Sequence, residues 1–312
     1  MKKKVYIIFY LPVFLCLIFL GCSKSKTSEE VKNNSEPGQV LRLTPGNCPN
    51  PPDYGDSIIC EKWQGPNRDY LVKPKNNPGA GSYFAWPQGL VINQQTGEIN
   101  VSQSEAGARY IIGFLKDGST DTCFTEIIIA GVTYLDGVYV LQNNDTLALP
   151  YFNANPVRTP VCDDSGGNDY PTANANDNAN GNDKCEFDDG YDDDNGNGYS
   201  DEPPPGQQAN SRKVRVRTIS GIIDLKKSLN DGAFGSNPQN GDTREVTIYY
   251  RLNDCSAKAL RKMKIKLTYY NKRSEIPVQT LSTVETNYDA FMSYRIVDGK
   301  PRPPQIFITR YY

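Results

Sequence analysis

The sequence contains no histidine. That absence removes Ser-His-Asp and Cys-His nucleophile activation, the His-bearing zinc proteases and every mechanism built on an imidazole base. No two cysteines stand in a close C-x-x-C, so a zinc site of the usual Cys/His type is not expected either. Tryptophan is scarce, at Trp63 and Trp86 only. Carboxylates are plentiful, but a glycosidase pair needs two acids at a fixed separation in a cleft. The acids here crowd into a low-complexity tract that holds nothing at fixed separation, so the chain reads as a non-enzyme.

What is present begins with a basic end, Lys2, Lys3 and Lys4, and an uncharged run from Val5 to Leu20. That run is about 16 residues, short of the roughly 20 that span a bilayer. Gly21-Cys22 follows, completing the outline of a signal peptide over 1–21. The stretch Phe19-Leu20-Gly21-Cys22 resembles the bacterial lipobox, with Phe19 departing from the usual leucine. The resemblance implies cleavage before Cys22, acylation (palmitate) of Cys22, and attachment to a membrane through that lipid. An ordinary secretory signal and an uncleaved anchor are the alternatives. Residues 22–42 are polar and bury almost nothing, which reads as a flexible tether. Ser23-Lys24-Ser25-Lys26 lacks an acidic run, which leaves the periplasmic and surface faces of an outer membrane both open.

Export agrees with the cysteines. Cys16 leaves with the signal and Cys22 takes lipid, so Cys48, Cys60, Cys123, Cys162, Cys185 and Cys255 remain as candidate disulfide partners in an oxidising compartment. Six cysteines allow 15 pairings, and spacing does not choose among them.

A net charge of −2 hides a division of the mature chain. Residues 162–210 carry thirteen acidic groups against Lys184 alone, and 211–312 carry nineteen basic groups against nine acidic. This asymmetry separates 43–160, a linker at 161–211 and a basic segment at 212–312. In the first segment, short β-branched runs such as Ile99-Asn100-Val101 and Ile127-Ile128-Ile129 alternate with turn signals, the pattern of a β-sandwich. Gly89-Leu90, the turn Asn93-Gln94-Gln95-Thr96-Gly97, Ile99-Asn100-Val101, and Gly107 before Tyr110 together resemble the Ig-like, cadherin-like repeats of bacterial surface proteins. That resemblance implies an Ig-like fold and says little about function. Trp63, Trp86, Tyr70 and Tyr83 offer a sugar-stacking platform, or equally the core anchors of a sandwich.

In the acidic linker, Asp193, Asn195 and Asn197 alternate as oxygen donors, Gly198 allows a sharp turn, and the Tyr199 carbonyl and Asp201 continue the set. Asp188, Asp189 and Asp192 are further donors. The stretch resembles the calcium loops of thrombospondin type 3 and dockerin-like modules. It departs from an EF-hand at Pro204, where the bidentate glutamate would stand. Calcium is the implied cofactor, and a solvated acidic linker is the alternative.

The last segment alternates again. Lys213, Arg215 and Arg217 flank Val214 and Val216, and Lys262, Lys264 and Lys266 flank Met263, Ile265 and Leu267. Tyr249, Tyr269 and Tyr270 are interleaved with them. These six basic residues form a candidate anion-binding surface for an anionic glycan or a partner envelope protein, or else keep an exposed sheet soluble. Nucleic acid is not an expected partner. Short helices are expected within Ser256–Met263 and Leu281–Tyr294, beside an antiparallel, β-rich (possibly α+β) sheet domain. Asp56-Ser57-Ile58 and Asp145-Thr146-Leu147 look like the O-glycosylation tripeptide of Bacteroidetes. With the lipobox, they make the whole resemble an envelope lipoprotein of that group. The expected class is therefore mainly β, and the expected role a tethered binding or adhesion scaffold whose calcium-stiffened connector sets the angle between two modules. A structural subunit of an envelope complex is the second expectation, and a glycan-active enzyme the third.

Overall fold

Apolar residues two apart become a strand only where something covers the face they share, and here two separate cores do so. The structure, a computed structural model, describes residues 48, 50–158, 161, 185–188, 203, 206–296 and 303–312. The expected signal peptide and tether with Cys22, together with Cys162 and the calcium-type set Asp193, Asn195, Asn197, Tyr199 and Asp201, lie outside them.

The first core is built from β1 (Ile58–Ile59), β2 (Leu71–Val72), β3 (Gly81–Trp86), β4 (Ile99–Asn100), β5 (Ala108–Lys116) and β6 (Thr122–Ile129). Among the described residues, β1, β6, β5 and β3 form one sheet in that order, and β2 and β4 a short second ladder. Tyr110, Ile112 and Phe114 of β5 and Ile127 and Ile129 of β6 alternate inward against Ile99 and Val101, all essentially inaccessible. The Thr96-Gly97 turn forms as expected. The Asn93 side chain accepts from the N–H groups of Gln95 and Thr96 at 2.9 and 3.0 Å. Gly97 sits at φ +70° with a ring edge of Tyr83 where a Cβ would stand, so the position needs glycine twice over.

The second core uses β7 (Val132–Tyr134), β8 (Gly137–Val140), β9 (Leu147–Ala148), β10 (Pro150–Phe152), β11 (Glu186–Phe187), β12 (Arg215–Val216), β13 (Ile223–Asp224), α1 (Leu225–Asn230), β14 (Thr243–Arg251), β15 (Arg261–Lys272), α2 (Val278–Met292) and β16 (Gln305–Tyr311). Among the described residues, the larger sheet runs β11-β14-β15-β16-β8, and the smaller one, β12-β13-β9, closes the other side of the core. The protein is thus mainly β. Val132, Tyr134, Ala148 and Phe152 pack in this second core, although their sequence position groups them with the first segment. Alternation shows which residues face a core and is silent on which core.

β11, β14 and β15 are antiparallel as expected, but β16 joins β15 in parallel and β8 joins β16 in parallel. Parallel neighbours need a long crossover, commonly helical. Here α2, the helix expected within 281–294, supplies it, packing Val284 with Ile276 on the outward-facing Phe307. The helix expected within 256–263 is replaced by a turn, in which the Ser256 N–H and hydroxyl both donate to Asp254. β15 then begins at Arg261.

Candidate functional site

The two cores meet at the start of β15. Cys60 and Cys255 form a disulfide there, with Cα atoms 5.7 Å apart at a sequence separation of 195. Next to it the Arg261 guanidinium donates to the carbonyls of Val101 (3.0 Å) and Ser104 (3.2 Å) and pairs with Glu61. Glu61 also accepts from the Ser102 hydroxyl at 2.5 Å, and that oxygen in turn accepts from the Tyr70 N–H at 2.7 Å. The side chains of Arg261 and Glu61 are 7% and 11% exposed. An ion pair so enclosed holds its geometry far better than a solvated one. Tyr250 adds a hydroxyl that accepts from the Val132 N–H, and burial pushes its phenol up from the ordinary value.

Above this bolt lies an open cleft of about 920 Å³. One wall is the Ser102–Ala106 loop with Glu61, and the other is the outward face of β14 and β15 with Glu245, Tyr249, Lys262 and Lys264. The ladder register sets Tyr249 opposite Lys262, Thr247 opposite Lys264, and Glu245 opposite Lys266. A row of ammonium groups therefore alternates with hydroxyls and a carboxylate, held on a rigid sheet.

The six expected basic residues do not form one surface. Val214 and Val216 are buried in the same core as Met263, Ile265 and Leu267, so Lys213, Arg215 and Arg217 point away from that core on the side opposite Lys262, Lys264 and Lys266. Arg215 is committed to structure: its Nε lies 2.5 Å from Asp231, beside Lys227 at 3.1 Å. The tyrosines do not make an aromatic lysine face either. Tyr249 and Tyr269 are buried, and Tyr270 packs on Phe307 beneath α2. Nor do Trp63, Trp86, Tyr70 and Tyr83 make a platform. Tyr83 lies in the first core with Tyr70 against it, while Trp86 stands on the outer face of β3 near Phe84. The residues that sequence reasoning missed are Glu61 and Arg261. Their partners are up to 200 positions away, and no local pattern marks them.

Cys48 pairs with Cys123, with Cα atoms 5.4 Å apart. Cys185 is also disulfide-bonded. Cys60, Asp254 and Cys255 bring ligand-type atoms within 4.8 Å of one another, but both sulfurs are bonded to each other and the trio is no metal site.

Two described stretches of the acidic segment, 185–188 and 206–210, sit side by side. Glu186 and Phe187 pair with Arg251 and Tyr250 of β14, and Gln208 bridges Thr247 on the same strand. Buried Asp188 takes the N–H groups of Ala209 (2.7 Å) and Asn210 (2.6 Å) and the Asn210 amide (2.8 Å). Glu186, equally buried, meets Arg251 at 3.4 Å and Lys258 at 3.3 Å. Glu186–Phe187 and Gln208 therefore lie along one edge of β14. Asp188 is a clasp between them, already committed to three donors.

No family model matches the chain, and no curated protein matches it. Among solved structures, Drosophila N-cadherin EC1-4 is similar over 69% of this chain and 47% of its own length, at 10% identity and a TM-score of 0.18. The chain spans under half of that neighbour, and a likeness at this level carries no argument about either fold family or function.

Proposed function

We propose that the protein is a non-enzymatic envelope lipoprotein, anchored through Cys22, with an Ig-like first module and a junction cleft that binds an anionic glycan. The observation that supports this reading best is the placement of Lys262 and Lys264 on the wall of a recess whose two sides are locked by the Cys60–Cys255 bond and the Glu61–Arg261 pair. A preformed recess loses little freedom on binding, so weak charge-assisted contacts are enough for affinity. The lysines supply attraction that salt weakens. In the same reading, Asp193, Asn195, Asn197, Tyr199 and Asp201 take calcium within an excursion closed at its base by Asp188, so calcium orders that excursion alone.

One calorimetric experiment on the full chain addresses both statements. Hexagalacturonate is titrated into wild type and Lys262→Glu/Lys264→Glu, and calcium into wild type and Asp193→Ala/Asp201→Ala. The cleft reading requires saturable, salt-sensitive glycan binding that falls by about tenfold or more in the lysine variant. Equal affinity in both proteins rejects it. Calcium heat that persists in the aspartate variant rejects the assigned ligand set.

A further inference from the structure

The last core-facing positions of two long strands are polar. On β15 that register runs Ile265, Leu267, Tyr269 and Asn271, and beside it on β16 run Ile306, Ile308 and Arg310. The pairing of β14 with β15 stops at Thr243 opposite Thr268. Beyond that point Tyr269, Asn271 and Arg310 line a recess of about 650 Å³ whose further lining is the Ser236–Asn240 loop and Glu275. It shares no residue with the lysine cleft. The loop is bonded to the strand: the Gly241 N–H donates to the Tyr269 carbonyl and the Tyr269 N–H to the Asp242 carbonyl, each at 2.8 Å. The Asn271 N–H donates to Asn240 Oδ1 at 2.7 Å, which fixes that amide and keeps its Nδ2 as a donor. The recess is thus formed before anything enters it.

Two opposite charges line this recess without meeting. The Arg310 guanidinium stands over the Tyr269 ring, 5.8 Å from its centre, and among the described residues its side chain has no ion pair or hydrogen bond. Arg244, at the other end of the same aromatic stack, shows the contrast. It lies over Phe234, which meets Tyr269 at 6.0 Å, and it spends its donors on the carbonyls of Ala233 and Thr243. Glu275 is oriented by its Oε2, which accepts from the Lys272 N–H at 2.8 Å, and among the described residues it forms no ion pair. A stacked guanidinium and a carboxylate tied to the backbone have already lost part of the freedom that binding costs.

We infer that this recess binds a free amino acid with a polar side chain, its α-carboxylate on Arg310 and its α-ammonium on Glu275. The guanidinium fork matches a carboxylate through two parallel hydrogen bonds, a geometry that an ammonium on a flexible stem does not offer. A simple anion would answer Arg310 and face Glu275 unfavourably, and a simple cation would do the reverse. A zwitterionic head answers both. The volume lies in the range of small-molecule sites, and the amides of Asn237, Gln239 and Asn240 on the wall favour a side chain that exchanges hydrogen bonds with them.

The test titrates glutamine, serine, lysine and leucine into the full chain by calorimetry. At least one of the three polar amino acids is expected to bind in the millimolar range or tighter, and leucine about tenfold more weakly than that one. For the amino acid that binds, the N-acetyl derivative lacks the ammonium and the carboxamide derivative lacks the carboxylate, and each is expected to lose about tenfold or more. Arg310→Ala is expected to weaken binding by about tenfold and Glu275→Gln by about fivefold, while Lys262→Glu/Lys264→Glu leaves it unchanged. Arg310 and Glu275 are exposed, and a glutamine oxygen still accepts from Lys272, so both variants are expected to keep the wild-type dichroism spectrum. No binding by any polar amino acid, equal affinity for leucine, equal affinity for the N-acetyl derivative, or unchanged affinity in Arg310→Ala overturns the inference. None of these outcomes bears on the lysine cleft.

Discussion

Arg261 carries the junction on one side chain. Its guanidinium serves Glu61 and two backbone carbonyls from the first core, and all of them are nearly shut off from water. Replacing it with methionine keeps the volume but leaves a buried carboxylate and two carbonyls without their donor. The Arg261→Met protein is expected to lose about 3 kcal/mol of stability, read from the urea midpoint, whereas an effect below about 0.5 kcal/mol, the usual size for a surface substitution, would mean that water replaces the guanidinium freely. The sequence displays Arg261 only as the charged neighbour of an alternating strand. Alternation puts Arg261 on the face of Met263, but what it meets there stands across the junction, 160 to 200 residues away.

At the scale of elements, periodicity did most of its work within strands. β15 buries Met263, Ile265 and Leu267 and presents Lys262, Lys264 and Lys266 on its other face, as the alternation requires. The same rule holds at Val214 and Val216. α1, by contrast, was not foreseen. It is short, capped by Asp224, whose side chain accepts from the Lys227 N–H, and tied to β12 through Asp231. The Arg215 guanidinium, and then the Lys227 ammonium, hold the Asp231 carboxyl below its ordinary value. A lowered folded-state value means that the contact contributes stability above the unfolded carboxylate range and loses it as pH falls through the folded value. Asp231→Asn is therefore expected to be less stable than wild type at pH 7, and the difference to close below about pH 4. Urea unfolding of the two proteins across that range checks it, and a gap that persists in acid would assign the effect to packing.

For the molecule as a whole, the Cys60–Cys255 bond closes a span of 195 residues across both cores. By the entropy of the loop it closes in the unfolded chain, the bond is expected to contribute about 3–5 kcal/mol. Cys60→Ser/Cys255→Ser should lower the guanidinium midpoint accordingly. Tryptophan fluorescence reports the segment around the first core, which carries both Trp63 and Trp86, and far-ultraviolet dichroism reports the whole. If the bond couples the cores, the two transitions coincide in wild type and separate in the variant. Coincident, unshifted transitions in the variant would show that the Arg261 contacts with the first core suffice.

The sequence alone determined the β-rich class, the inward and outward faces of the long strands, the Asn93–Gly97 turn and the presence of a helix within 281–294, because each rests on interactions between near neighbours. Tertiary structure alone decided that 132–152 completes the second core, that β16 and β8 enter in parallel, that the six basic residues divide between opposite faces, and that Glu186–Phe187 and Gln208 lie along one edge of β14. It also brought together Glu61 with Arg261 and Arg109 with Tyr294. Those outcomes turn on which buried faces find each other across the chain, and alternation of apolar and polar residues carries no information about the partner.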